Sequence, residues 1–342
     1  MTNIVTYNIL AGGYSSGQPN GRRVEQLARI IRSTQPDVVG VVEAVNPRKL
    51  WKPLAVEELA AVLGMQLVLD KEVLHLRDYQ PALLTRLPIV YTKIHPRPGI
   101  LTRPLLEVCL EETNGKRFIV FTTHLSAAFS QGWAGNAIRK REIGEIVRIM
   151  GPQREAAMPH VLLGDFNALA PGDTFKACNL LRYIASLDHA TKRQPLGDGY
   201  PHLNSVVPQS LRFLNPLLRL IPRNILLSTA FDRAAALYAP RSCIALLQKA
   251  CYADCYRRVH PHTWGFTCPA SAPAGRIDFI FASPEMAGRL ETCYVVTEGE
   301  GLAGADASDH LAVAARFGDE PVNLSTRGFV VEPDRPTTKP LS

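Results

Sequence analysis

The sequence has few aromatic residues, which make up 7% of its 342 residues, and it has no long apolar run. No stretch approaches the length of about 20 apolar residues that a bilayer-spanning helix needs. The first predicted strand begins at Asn3, so we expect no secretory leader. The seven cysteines are odd in number and form no compact pattern, which favours reduced thiols and a cytoplasmic location. These absences argue against a membrane-spanning protein and a disulfide-stabilised secreted domain.

The remaining composition is that of a folded globular chain, with 46% hydrophobic and 20% charged residues and a formal net charge of +7. Apolar residues recur at helical spacing in 22–33 and 138–150, and 57–63 reads as a further helix that ends near Gly64. Short apolar runs between these segments predict strands. They cover residues 38–42, 66–70, 81–86, 104–110 and 117–123, and Asn114-Gly115 forms a turn between the last two. Alternation of this kind predicts an α/β protein with helices outside a pair of sheets.

Six polar side chains stand at the ends of apolar runs or within them, where an unpaired polar group would be costly. Asn8 follows Ile4–Tyr7, Glu43 follows Val38–Val42, and four more residues have similar positions: His124, Asp165, Asp278 and His310. Such residues are expected to be paired, to bind a metal or to act chemically. Their positions at the mouths of buried strands allow them to meet in one pocket.

The ordered motifs resemble the endonuclease/exonuclease/phosphatase superfamily, which includes DNase I, exonuclease III, neutral sphingomyelinases, inositol polyphosphate phosphatases and deadenylases. The resemblance covers roughly residues 3–317. It implies a four-layer α/β/β/α sandwich, in which two mixed sheets face each other with helices outside, and a metal-dependent phosphoesterase. The matching motifs are Thr6-Tyr7-Asn8, Pro36-Asp37-Val38 through Glu43, Thr123-His124-Leu125, Gly164-Asp165-Phe166-Asn167, Arg276-Ile277-Asp278-Phe279-Ile280 and Ser308-Asp309-His310.

Glu43 is the first candidate metal ligand, because Mg²⁺ prefers one or two hard carboxylates and keeps several waters. Asp309 and Asn8 are expected to complete the site, directly or through water, since the resemblance gathers these positions around one metal pocket. Mg²⁺ is the expected cofactor, with Mn²⁺ as a substitute. A turn-capping amide is the alternative interpretation of Asn8.

Five residues are candidates for catalysis. Asp165 and Asn167 lie two apart, so an extended backbone would turn their side chains the same way, whereas an Asx-turn is the alternative. The resemblance assigns Asp165 to positioning or activating water. Asp278 and His310 are expected to pair, the carboxylate fixing the imidazole tautomer. His124 would be a second imidazole donor to phosphate. One departure from the family pattern is Tyr79-Gln80-Pro81-Ala82, which stands where a Gly-Asn-Ala-type segment is usual, with Gln80 in place of the usual amide.

Residues 205–258, called the insertion below, break the alternation of strands and helices. The segment contains eight basic and two acidic residues and is rich in leucine. We predict two or three short helices within a catalytic domain of residues 1–318, followed by an extended tail at 319–342. An anionic membrane surface or a lipid substrate would suit this composition. The alternative is a cover that packs its apolar face on its own domain.

The expected activity is in-line hydrolysis of a phosphodiester or phosphomonoester by water, with a small or lipid-linked phosphate ester as substrate. A nuclease acting on DNA or RNA is the enzymatic alternative, which the net charge favours. It is weakened because the positive charge is concentrated in the insertion. A scaffold that binds a partner through the insertion is the non-enzymatic alternative, and the complete set of polar residues argues against it.

Overall fold

Two mixed β-sheets, each of six strands in the part of the chain that is described, form the centre of the molecule. The computed structural model describes residues 1–14, 21–46, 53–69, 79–191, 203–207 and 209–320. The first sheet contains, from edge to edge, β11 (Leu290–Val296), β14 (Ala312–Phe317), β1 (Thr2–Asn8), β2 (Val38–Val45), β4 (Gln80–Thr85) and β3 (Gln66–Val68). The second contains β5 (Ile89–His95), β6 (Leu105–Glu111), β7 (Arg117–His124), β8 (His160–Asp165), β10 (Asp278–Ala282) and β9 (Ala253–Asp254). A small hairpin joins β12 (Glu298–Gly299) and β13 (Leu302–Ala303).

Helices cover both outer faces of this pair of sheets. The first sheet carries α1 (Val24–Arg32) and α2 (Ala55–Leu63), and the second carries α3 (Trp133–Ile149) and α9 (Ser242–Lys249). The short α4 (Gly151–Glu155) follows α3 and has no buried residue. The four-layer sandwich predicted from the sequence is therefore confirmed. The remaining helices are α5 (Ala177–Thr191), α6 (Leu203–Val206), α7 (Asn215–Leu218), α8 (Ile225–Tyr238), α10 (Cys255–Val259), α11 (Pro284–Ala287) and α12 (Gly304–Ala307).

The central strands are buried on both faces, which explains why they read as continuous apolar runs. Successive side chains point to opposite faces. Ile4 packs between the two sheets, while its neighbour Val5 packs in the layer under α1 and α2. In the second sheet, Val120 faces the first sheet and Phe121 faces α3 and α9. The hydrophobic core thus has three layers, and the central one holds the sheets together.

Most of the predicted elements lie where the sequence placed them. The α2 helix ends at Gly64, whose φ of 61° is the left-handed conformation of a helix C-cap. Gly115, in the turn between β6 and β7, has a φ of 78°. β5, an edge strand in which four of seven residues are exposed, was not among the predicted strands. Apolar and polar residues do not alternate clearly along this strand, because only part of its length contacts the core.

The insertion divides into two parts with different surroundings. Residues 242–259 belong to the sandwich, since Ile244 and Leu247 pack in the layer with α3, and β9 pairs with β10. Residues 203–207 and 209–238 lie outside it and, with α5, surround a separate small apolar cluster. We call these residues the helical cover.

The predicted domain limits remain predictions. The extended tail falls largely on residues 321–342, which are outside the described part of the chain. None of the described helices is both long enough and apolar enough to cross a membrane.

Candidate active site

Strand pairing brings the predicted polar residues to one end of the sandwich. β1 and β2 run parallel with Asn8 beside Val42, and β7 and β8 run parallel with His124 beside Asp165. β10 runs antiparallel to β8, so its first residue, Asp278, also lies beside Asp165. The segment before β14 carries Asp309 and His310 to the same end. Glu43, Asp309, His124, Asp165, Asn167 and His310 line one cavity there.

Asp165 is at the centre of the polar contacts. Its Oδ2 accepts a hydrogen bond from Asn8 Nδ2 at 3.1 Å and lies 3.5 Å from His124 Nε2 and 3.9 Å from His310 Nε2. Burial raises the pKa of Asp165 to about 7, although the nearby His310 acts in the opposite direction. A carboxyl group with this pKa can hold or release a proton near neutral pH.

The predicted pairing of Asp278 with His310 is present in the structure. His310 Nδ1 donates to Asp278 Oδ2 at 2.9 Å, and both side chains are buried. Burial by itself lowers the pKa of His310, but the Asp278 carboxylate outweighs it, and the pKa lies well above the ordinary value. The imidazole is therefore held as a cation, with its Nε2–H on the side of Asp165.

His124 has the opposite electrostatic character. Burial lowers its pKa well below the ordinary value, and the charges of Arg103 and His310 act in the same direction. Its Nδ1 is buried without a hydrogen-bond partner among the described residues. The site therefore combines one neutral and one charged imidazole, both near Oδ2 of Asp165.

Glu43 and Asp309 form the carboxylate side of the site. Glu43 lies at a bulge in β2, where its φ is 56° and the register with β4 shifts, and its Oε2 accepts from Ala11 N–H at 2.8 Å. Burial raises the pKa of both carboxyl groups, and the negative charge of Asp309 raises the pKa of Glu43 further. Asp309 Oδ1 is buried and has no hydrogen-bond partner in the described part of the chain.

These features fit a divalent cation. Two half-buried carboxylates line the same cavity, and one of them has a buried oxygen without a hydrogen-bond partner among the described residues. A hard cation with oxygen ligands would stabilise such a pair. Asn8 lies beside Glu43, but its Nδ2 faces the carboxylates while its Oδ1 accepts from Leu10 N–H at 3.0 Å. As placed, Asn8 supplies a hydrogen-bond donor to the site, and only the reversed amide would present its oxygen to a metal.

Asp165, Asp278 and His310 also have ligand atoms within 4.8 Å of one another. We consider this cluster a poorer metal site than Glu43 with Asp309. His310 is held as a cation and its Nδ1 is bonded to Asp278, and only a neutral imidazole nitrogen binds a metal.

The backbone at Asn167 is not extended. β8 ends at Asp165, and Asn167 has a φ of 47°. Its backbone N–H donates to Asp165 Oδ1 at 2.8 Å, which is the Asx-turn contact, and its Nδ2 donates to Leu125 O at 3.0 Å. The extended interpretation was therefore wrong, and a second amide hydrogen remains for other acceptors.

A buried ion-pair network fixes the segment that leads into Asp278. The Arg276 guanidinium bonds to Asp173 Oδ2 at 3.0 Å and to Asp254 Oδ2 at 2.6 Å. It also lies over the ring of Phe279, 4.5 Å from the centroid. Because both carboxylates are buried, the network ties three distant segments together beside the site.

Several residues of the site carried no sequence signal. Arg103 lines the cavity and donates to Leu125 O at 2.8 Å. Tyr79 also lines the cavity, whereas the neighbouring Gln80 does not. Thr267 Oγ1 accepts from Asp278 N–H at 3.2 Å. Cys268 also lines the cavity. These residues come from loops, where position depends on the tertiary fold.

Comparison with known proteins gives the chain its family. The sequence pattern of the endonuclease/exonuclease/phosphatase family matches residues 5–310, whereas no curated protein matches the chain significantly in sequence. Among solved structures, the chain is similar to the 3′ phosphatase NExo from Neisseria bound to a product DNA hairpin, with 18% identity and a TM-score of 0.52 over 93% of this chain and 99% of that chain. It is also similar to an AP endonuclease from Archaeoglobus fulgidus, with 14% identity and a TM-score of 0.53 over 93% and 99% of the two chains. A further similar structure is TDP2 from Caenorhabditis elegans, with 14% identity and a TM-score of 0.53 over 93% of this chain and 75% of that chain.

At these identities the solved structures establish the shared fold. The family pattern covers most of the sequence and includes the strands that carry the site. The chain therefore belongs to the endonuclease/exonuclease/phosphatase family and is a hydrolytic enzyme that acts on phosphoester bonds.

Proposed function

We propose that this protein is a Mg²⁺-dependent phosphoesterase that hydrolyses a small or lipid-linked phosphate ester. The observation that carries the proposal is that two kinds of group line one cavity. Glu43 and Asp309 provide carboxylates for a metal ion, and Asp165 with its two histidines provides groups that can transfer a proton. A phosphate ester needs both, because its negative charge repels nucleophiles and grows at the phosphoryl oxygens in the transition state.

Glu43 and Asp309 would hold the metal ion, and Mn²⁺ is an alternative to Mg²⁺. When bound, the ion neutralises charge on the phosphoryl oxygens and the leaving oxygen. Asn8 donates to Asp165 and, at the longer distance of 3.4 Å, to Glu43. It thereby keeps the two carboxylates in fixed relative positions.

The remaining residues would act on water and phosphate. Asp165 takes a proton from the attacking water, whose oxygen forms a bond to phosphorus while the ester P–O bond breaks on the opposite side. The departing oxygen receives its proton from solvent. The charged His310 donates through Nε2–H to a phosphoryl oxygen, and the neutral His124 is positioned beside the same carboxylate. Asp278 keeps His310 protonated and oriented.

A nuclease is the second candidate. The net charge of +7 favours it, and two proteins of similar fold are named as a 3′ phosphatase bound to DNA and an AP endonuclease. Against it, the cavity beside the polar groups is largely apolar, whereas nucleic-acid sites are basic grooves with stacking aromatics.

We propose the cytoplasm as the location of the protein, since all seven cysteines are free thiols.

A metal-dependent activity screen tests the proposed function. Chelated enzyme would be supplied with Mg²⁺ or Mn²⁺ and assayed on bis(para-nitrophenyl) phosphate, phospholipid, single- and double-stranded DNA, and RNA. We expect hydrolysis that requires the added metal and favours the small ester or the phospholipid. Hydrolysis of DNA or RNA in preference to both would establish the nuclease. Metal-independent hydrolysis, or none on any substrate, would refute the proposal.

A further inference from the structure

The cavity that contains the candidate catalytic residues is much larger than a phosphate group requires. Its volume is about 720 Å³, which lies in the upper part of the range of small-molecule sites, roughly 300–1,000 Å³. It runs from the polar end of the sandwich along the inner side of the helical cover, where Val207, Leu214 and Phe231 line it together with Leu181 of α5. A substrate that fills this space has a sizeable part beyond its phosphate.

The polar and apolar lining groups are separated. The acidic and imidazole side chains of the lining are those of the candidate active site. Arg103 and Arg139 also line the cavity, and they bond to the carbonyl groups of Leu125 and Ser126, directly after the strand that ends in His124. The lining contributed by the helical cover is aliphatic and aromatic. A ligand that matches this lining is charged at one end and apolar along the rest of its length.

The wall formed by the helical cover is a packed structure. Leu181, Ile184, Leu203 and Leu218 form a cluster that is buried from solvent between α5, α6 and α7. The cover therefore has apolar contacts of its own, and the cavity remains between it and the sandwich. A cover that served only to shield the sandwich would pack against it and leave no such space.

The outer surface of the cover is also unusual for a protein surrounded by water. Four large apolar side chains are at least three-quarters exposed: Phe213 (76%), Ile225 (81%), Leu226 (77%) and Leu237 (88%). Arg219, Arg223 and Arg233 are exposed in the same part of the chain. Residues 209–238 contain one acidic residue, Asp232, and its carboxylate accepts from the backbone N–H at the start of α5.

Exposed leucines combined with arginines match the surface of an anionic lipid layer, where apolar side chains enter the acyl boundary and arginines meet phosphates. A nucleic acid would match the arginines alone. The outer surface and the cavity thus favour the same class of ligand.

We propose that the substrate is a phospholipid, whose apolar chain occupies the cavity under the helical cover while its phosphate lies among Glu43, Asp165 and His310. This inference rests on the proposed phosphoesterase function. Hydrolysis consumes one water, which supplies the oxygen that bonds to phosphorus, and it breaks one P–O ester bond. The helical cover selects the substrate and takes it from the lipid surface, and it contributes no group to the chemistry.

A chain-length series tests the inference on the unmodified enzyme. Alkyl para-nitrophenyl phosphates keep the same leaving group while the alkyl chain is extended by two methylenes at a time, below the concentration at which each aggregates. We expect kcat/KM to rise by up to about fourfold for each methylene that enters the cavity, and then to level off when the cavity is full. Hydrolysis of the methyl ester with no gain from longer chains would overturn the inference and leave the proposed function standing. Absence of metal-dependent hydrolysis throughout the series would instead refute the proposed function.

Two substitutions on α8 test whether the alkyl chain of the substrate binds in the cavity. Ala235 lines the cavity, whereas Ala230 is exposed and does not. Ala235→Trp should lower the ratio of long-chain to methyl-ester kcat/KM by tenfold or more, since the indole fills part of the cavity. Ala230→Trp is the matched control and should leave that ratio unchanged. Equal ratios in the two variants would contradict the placement of the chain. If Ala235→Trp fails to fold, the chain-length series still decides.

Vesicles distinguish a lipid surface from free amphiphiles. With phosphatidylglycerol vesicles, the double variant Leu226→Asp, Leu237→Asp should bind and hydrolyse at least tenfold less than the unmodified enzyme, relative to its rate on a dispersed short-chain ester. Loss confined to the vesicle assay would support docking through these side chains. Equal vesicle rates would show that the exposed leucines do not contact lipid, and a dimer of the unmodified protein that the double variant abolishes would assign them to a second copy of the chain.

Discussion

The hydrogen bond between His310 and Asp278 allows a quantitative test of how the site works. The 2.9 Å contact joins a cationic imidazole to a buried carboxylate, and bonds of this kind contribute about 1.5–3 kcal/mol. His310→Ala and Asp278→Asn each remove it. Because the double variant cannot lose the same bond twice, its loss of kcat/KM should be smaller than the product of the single losses by about tenfold to hundredfold.

The assay is metal-dependent hydrolysis of bis(para-nitrophenyl) phosphate by the four proteins of the cycle, each shown to be folded by its unfolding transition. His160→Ala is the matched control, because His160 is equally buried but lies at the opposite end of β8 and bonds to Tyr252. It should lower stability and leave kcat/KM close to that of the unmodified enzyme. Additivity of the two single losses to within about 0.5 kcal/mol would refute the idea that His310 and Asp278 act as a unit.

Three further predictions concern the framework around the site. Arg276→Met leaves the buried Asp254 carboxylate without its cation, while Asp173 keeps its ion pair with Arg257. Urea unfolding should therefore show a loss of about 3–5 kcal/mol, and an unchanged midpoint would contradict the network. Thr267→Val removes the acceptor of two backbone N–H groups at the start of β10, which should cost about 1–3 kcal/mol, whereas a neutral result would mean that water replaces the hydroxyl. Gly164→Ala places a methyl group against Thr123 O at a φ of 143° and should destabilise the protein by about 1–3 kcal/mol. Gly144→Ala, in an open helical position, should be neutral or stabilising, and equal effects in the two glycine variants would contradict the close approach of β7 and β8.

The sequence predicted the strands that carry the site because their burial is nearly complete. A run such as Val38–Val42 can be stable only inside a sheet that is covered on both faces, so the polar residue that follows it is conspicuous. Parallel pairing then requires that such residues meet at one end, as His124 and Asp165 do. The burial of the strands and their parallel pairing therefore predict the fold and the residues that meet at the site.

The details that sequence reasoning missed depend on the backbone between strands. The tertiary structure imposes the left-handed conformation of Asn167 and the bulge at Glu43, and no periodic pattern in the sequence indicates either of them. The second half of the insertion was misjudged for a similar reason. Its helix α9 is amphipathic like those of the helical cover, and only its contacts with α3 show that it belongs to the sandwich.

The most direct test of the central claim is the turnover of a soluble phosphodiester by Glu43→Gln over a range of Mg²⁺ concentrations. This substitution removes a charge and little volume, so the fold should persist while kcat/KM falls by a hundredfold or more, on the order of the loss when one electrostatic group is removed from an active site. Glu107→Gln, at a buried carboxylate that bonds to His95 in the second sheet, should retain Mg²⁺-dependent turnover. A folded Glu43→Gln enzyme with near-normal turnover and an unchanged Mg²⁺ requirement would contradict the account.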